Sequence, residues 1–140
     1  MIELNNETKL NINLEIANQI INDLSITRDI ELEICENKQI QEYNKNYRNI
    51  DKPTDVLSFP LDNINNEPLG NIIISSQFIE NVAIKLSHSN QDEFNLLFIH
   101  GLLHLLGYDH EKDNGEMRQE ELQLIQKYKL PKSLIIRSED

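Results

Sequence analysis

Apolar residues recur along the chain with two periods, and the elements follow from them. Residues 2–4 read as a short first strand. From Leu10 to Leu24, Leu14, Ala17, Ile20, Ile21 and Leu24 fall at helical spacing and predict an amphipathic helix. Ile30, Leu32 and Ile34 alternate with Glu31 and Glu33, the pattern of a strand with one wet face. Asn37 is placed to cap a helix that runs to about Tyr47 and turns Ile40, Tyr43 and Tyr47 inward. A loop with Pro53 leads to a strand over Val56–Phe59, closed by Pro60, and residues 62–68 are polar and turn-like. The β-branched run Ile72-Ile73-Ile74 reads as a buried strand. Ser75 or Ser76 caps the next helix, which reaches about Leu86.

The second half changes character. After a polar connection over Ser87–Gln91, Asp92 opens a helix that is apolar almost all round, with Phe94, Leu97, Phe98, Ile99, Leu102, Leu103, Leu105 and Leu106. Such a helix belongs in the middle of a domain. A last long helix over about Asn114–Tyr128 offers Met117, Leu122, Leu124 and Ile125 as inward positions, and Pro131 follows it. No internal repeat or linker divides the chain. The order predicts one α+β domain over residues 1–140: a small mixed sheet of about four strands, covered by helices, around one central buried helix.

Composition adds limits. The chain carries 13 Lys and Arg against 24 Asp and Glu, a formal net charge of −11. Phosphate contacts need cations, so any nucleic-acid site must be a local feature of an acidic body, and DNA is not an expected partner. Glu111, Asp113, Glu116, Glu120, Glu121, Glu139 and Asp140 read as a solvated acidic face. With Cys35 as the single cysteine, no intrachain disulfide can form, which fits a reducing compartment. The N-terminus lacks the pattern of a signal peptide, and no apolar run reaches membrane-spanning length. A cytoplasmic location is expected.

The chemistry concentrates in His100-Gly101-Leu102-Leu103-His104-Leu105-Leu106-Gly107-Tyr108-Asp109-His110. His100 and His104 are one helical turn apart on one face. Gly107 can take the left-handed conformation that ends a helix, returning His110 toward the pair. Three converging imidazoles suit one zinc ion with an open coordination position, and an open position suits chemistry. The spacing is that of metzincin peptidases, which place Glu after the first His as general base. Here that residue is Gly101, so the ligand cage stands without the peptidase base. A structural zinc site is the duller alternative. Glu93, seven residues before His100 and nearly on its face, reads either as a carboxylate orienting a ligand or as a first-turn residue favoured by the helix dipole. His88, in a polar loop, reads as solvated.

A second stretch, Asn46 to Pro60, is also specialised. Arg48 stands at a helix end beside a loop, and its planar fork of donors suits phosphate. A surface arginine favoured by the helix C-terminus is the plainer reading. Ser58 fits either a cleft wall or a hydroxyl bonded to backbone, and Asp109 either a general base or a turn aspartate.

Tyr47-Arg48, Thr54-Asp55-Val56-Leu57-Ser58-Phe59-Pro60, Leu69-Gly70 and the His100–His110 motif together resemble the YbeY family, bacterial endoribonucleases and rRNA maturation factors. The likeness covers roughly residues 30–125. It implies zinc on His100, His104 and His110, one ion per chain, with Arg48 as the functional arginine that lines the metal cleft and contacts RNA. It implies ribosomal RNA as substrate, in 16S 3′-end maturation and ribosome quality control, with the small ribosomal subunit and its proteins as partners. Asn71 stands where the family often has Asp. Two rival readings are a non-enzymatic ribosome assembly factor with a structural zinc, and a metallohydrolase of another substrate class.

Overall fold

Ile30, Leu32 and Ile34 are all buried, and they set the face on which the domain is built. The computed structural model describes residues 1–62, 67–132 and 134–139. In chain order the elements are β1 (Ile2–Asn6), α1 (Glu15–Asp23), β2 (Ile30–Cys35), α2 (Asn37–Arg48), β3 (Val56–Pro60), β4 (Gly70–Ser75), α3 (Ser76–Leu86), α4 (Asn90–Leu105), α5 (Glu116–Tyr128) and α6 (Leu134–Glu139). The strands form one sheet in the order β1-β2-β4-β3. β1 and β2 are parallel, as are β2 and β4, while β3 runs antiparallel to β4 on the edge. The expected mixed α+β sheet is therefore present, and among the described residues it has four strands.

Register explains the two faces. Leu32 pairs with Ile72, and Ile72 with Ser58, so these three share one face. That face carries the main core with α4 across it: Ile30, Leu32, Ile34, Ile72 and Ile74 meet Phe94, Leu97, Phe98, Ile99, Leu102 and Leu103. Full burial of each such side chain contributes roughly 1.5–3 kcal/mol. The opposite face holds a smaller cluster of Cys35, Ile40, Leu57 and Ile73, which α2 covers.

Several boundaries differ from the periodic reading. α1 begins at Glu15, not Leu10; Leu10, Ile12 and Leu14 lie along the core as a partly buried lead-in. The Asn13 N–H donates to Gln91 Oε1 at 2.8 Å, tying that lead-in to α4. Asn37 is the first residue of α2 rather than its cap, and its Oδ1 accepts from the Ser75 hydroxyl at 2.6 Å. Ser75 caps α3, and Ser89, ahead of Asp92, caps α4 through the Asp92 N–H. Tyr47 does not point inward: it is 69% exposed and leans on Phe59, with ring centroids 5.3 Å apart. Of the polar turn expected over 62–68, residues 63–66 lie outside the described residues. The segments beside it are held by Arg28, whose guanidinium donates to the carbonyls of Leu61, Asp62, Glu67 and Pro68. α6 carries no periodic signal long enough to predict. No helix among the described residues is long and apolar enough to cross a membrane.

Candidate metal centre

Gly101 decides how α4 meets the sheet. A Cβ there would stand 3.0 Å from Ile72 Cγ2, 3.1 Å from Ser58 Oγ and 3.3 Å from Val56 Cγ2. The missing side chain lets the helix settle against β3 and β4. The Ser58 hydroxyl donates to the Gly101 carbonyl at 3.1 Å, so Ser58 is bonded to backbone and lines the cleft as well. A residue at 101 faces the sheet, so a peptidase-type Glu would have no room to act there.

Beyond α4 the chain reverses. Gly107 has φ +99°, which a side chain would strain. Its N–H donates to the His104 carbonyl at 3.0 Å, and the Tyr108 N–H to the Leu103 carbonyl at 3.1 Å, the bond pair of a Schellman ending. His110 thereby returns to the other two. Ring centroids of His100 and His104 are 4.8 Å apart, and those of His110 lie 5.4 and 5.8 Å from them. One ligand atom from each imidazole lies within 4.8 Å of the others.

The outer contacts fix which nitrogens face inward. His100 Nδ1 donates to Glu121 Oε2 at 2.7 Å, and His104 Nδ1 to the Tyr108 carbonyl at 3.0 Å. A neutral imidazole protonated at Nδ1 has a bare lone pair at Nε2. The two Nε2 atoms face each other at 3.2 Å. Lone pairs at that distance repel unless a proton or a metal ion sits between them. Two nitrogens bound tetrahedrally to one zinc would stand about 3.3 Å apart. His110 Nδ1 is buried without a hydrogen-bond partner. Burial, then the neighbouring His100, lowers the pKa of His104 and favours its neutral, ligating form. The residues present fit a metal ion.

Glu121 escaped the sequence reading, which placed it on a solvated acidic face. It is 1% exposed. The signal was available: Glu121 stands four residues after Met117 and four before Ile125, on the buried stripe of α5. A carboxylate on an apolar stripe needs a partner, and His100 is that partner. Among the described residues Glu93 makes no contact that orients one of the three histidines; its carboxylate binds Arg137 and His88. His88 is likewise not a solvated loop residue, its side chain being 10% exposed.

The histidines open onto a cleft of about 700 Å³. Its walls are Arg48 with Thr54–Ser58, the turn from Gly107 to Glu111, and Leu134, Ile135 and Arg137 of α6. Arg48 is exposed, and among the described residues it has no hydrogen-bond or ion-pair partner. Its position is fixed by the loop that follows: Asn49 closes α2 at φ 57°, and Asn44 Nδ2 donates to the Lys52 carbonyl at 2.9 Å. Asp109 also lines the cleft, but its Oδ1 accepts from the Glu111 N–H at 3.0 Å, a turn role. Asn71 does not line it. It faces a second cavity, of about 640 Å³, beside Tyr47 and Phe59.

A family model described as "Endoribonuclease YbeY" matches residues 2–129. The chain belongs to the YbeY family. Curated relatives named Endoribonuclease YbeY include one from Sulfurovum sp., 52% identical over 99% of this chain and 98% of its own length. Another, from Aliarcobacter butzleri, is 55% identical over 99% of both chains. One from Helicobacter pylori is 49% identical over the whole of both. The solution structure of TM1509 from Thermotoga maritima superposes with a TM-score of 0.60 at 26% identity, covering 92% of each chain. The YbeY match takes in the three histidines, Arg48 and Glu121, and it ends before α6 begins.

Proposed function

We propose that this chain hydrolyses phosphodiester bonds of single-stranded RNA at one zinc ion held by His100, His104 and His110. Its substrate is the 3′ end of 16S ribosomal RNA, cut in the cytoplasm on the small ribosomal subunit, and its wider task is ribosome quality control. The observation that carries this reading is the shared cleft: three imidazoles whose ligand atoms lie within 4.8 Å of one another, beside a guanidinium without a partner among the described residues, in a chain of the YbeY family.

Zinc bound there would supply a Lewis acid for the phosphoryl group and an acidified water. The chain's own groups do the rest. Glu121 and the Tyr108 carbonyl hold two imidazoles in the ligating tautomer. Arg48 binds the phosphate and offsets charge that builds on its oxygens. Because the tripod faces an open cleft and, among the described residues, no fourth side chain joins it, substrate would have access to a bound ion; a purely structural zinc would be closed.

RNA cleavage by wild-type and Arg48→Ala proteins, matched for zinc content, tests the proposal. Removing the charge-stabilising group is expected to slow cleavage about 10²–10³-fold with zinc retained. Equal residual cleavage in both would mean a contaminating nuclease and would refute the assignment.

A further inference from the structure

Two turns along α4 from the metal site lies a buried carboxylate that the proposed chemistry does not use. Glu93 is 1% exposed, and its side chain is fully engaged. Arg137 Nη1 donates to Oε1 at 2.9 Å and Nη2 to Oε2 at 2.7 Å, a two-pronged pair. His88 Nε2 donates to the same Oε1 at 2.8 Å. Arg137 belongs to α6 and lines the metal cleft together with Leu134 and Ile135.

A helix of six residues does not hold itself in water. Among the described residues α6 is held by Ile135, 4% exposed within the main core, by Leu134 packed against that core, and by the Arg137 fork on Glu93. A buried carboxylate left without its cation is strongly disfavoured, so the fork resists opening. The rest of the cleft wall comes from elements inside the YbeY match, whereas this wall lies outside it.

We infer that Arg137 is a positioning residue: by gripping Glu93 it fixes α6 as a wall of the cleft, and that wall selects unpaired RNA over duplex. The inference rests on the RNA-cleaving reading above. A cleft of about 700 Å³ has room for a short stretch of unpaired chain and none for a double helix. Splayed bases gain contact from apolar and aromatic side chains, which Leu134 and Tyr108 provide here. Since Arg137 and Glu93 neutralise each other, the fork itself adds no net charge beside the cleft of an already acidic protein. Without the fork the wall keeps only its apolar contacts, and Glu93 loses its arginine.

The test is binding of a fluorescein-labelled 2′-O-methyl phosphorothioate oligonucleotide, which resists cleavage, as a single strand and as a duplex. Zinc-loaded wild-type, Arg137→Lys and Arg137→Ala full chains are compared by anisotropy. Arg137→Ala is expected to lower the single-strand-to-duplex affinity ratio about tenfold, the scale of one lost base contact. Arg137→Lys, with charge but no fork, falls in between. Hydrogen exchange of residues 134–139 rises in step while zinc content stays the same. A merely structural effect would weaken both RNA forms equally. An unchanged ratio in Arg137→Ala, or equal loss for both forms, overturns the inference. If Arg137→Ala does not fold, the ratio and exchange in Arg137→Lys decide by the same criteria. Wild type that binds neither form would instead refute the RNA-cleaving reading itself.

Discussion

Glu121 is the most informative single residue to change. Its carboxylate is 1% exposed and holds His100 Nδ1 at 2.7 Å, so it fixes which nitrogen faces the other two histidines and makes that nitrogen more basic. In Glu121→Gln the amide oxygen can still accept from Nδ1, so the tautomer is kept and the charge is lost. Zinc affinity should fall about tenfold, or ~1.4 kcal/mol. Glu121→Ala leaves no acceptor. His100 then moves its proton to Nε2, or leaves Nδ1–H buried and unpaired, and the loss approaches about 100-fold, or ~2.7 kcal/mol. The same losses appear as stability when zinc is above its dissociation constant, because each tenfold in affinity removes ~1.4 kcal/mol of ligand stabilisation. Competition with a chromophoric chelator at fixed pH measures the first effect, and urea melts with and without zinc measure the second. If both variants bound zinc within twofold of wild type, the reasoning that ties the α5 carboxylate to the metal site would fail.

Further outcomes follow from other residues. Gly101→Glu, which restores the peptidase-type residue, should destabilise the fold by more than ~3 kcal/mol, since it forces a carboxylate among Ile72, Val56 and Ser58; a stable variant that cut peptides would contradict this. Gly107→Ala should cost about 1–2 kcal/mol at its positive φ and weaken zinc binding by displacing His110, both readable in the same melts and titrations. Burial pushes the Cys35 thiol up to about 12, with Glu33 adding to the shift. The folded state therefore holds that proton more tightly than the unfolded chain, whose thiol titrates near about 8.5. Stability from this source is complete below that pH and drains away as pH rises toward 12. Urea midpoints between pH 7 and 10 should fall less in Cys35→Ala than in wild type, and a thiol reagent should label Cys35 only after unfolding.

What was legible in the sequence depended on distance along the chain. The apolar run Ile72–Ile74, the all-round apolar α4 and the return of His110 through Gly107 are written in short spacings, where helix pitch and glycine stereochemistry act directly. Arg48 could be placed at a helix end for the same reason, although which cleft it entered needed β3 beside α4. Contacts made by packing were harder. Glu93 was rightly placed on the histidine face, yet its cation comes from Arg137, 44 residues later, and no periodicity links the two. Leu10 and Leu14 show helical spacing but lie ahead of α1 as a partly buried cover, because tertiary burial rewards an apolar residue inside a helix or outside it. Tyr47 looked like a core residue and instead leans at a tilt on Phe59 at the surface, where an aromatic ring with a polar tip is comfortable.

The chemistry proposed for the cleft requires His100, His104 and His110 together to hold one metal ion. Elemental analysis of protein purified without added metal, set beside His104→Ala, tests it most directly. Close to one zinc per wild-type chain is expected, and almost none in the folded variant. Wild type without a bound transition metal, or a folded His104→Ala protein carrying as much as wild type, would contradict it.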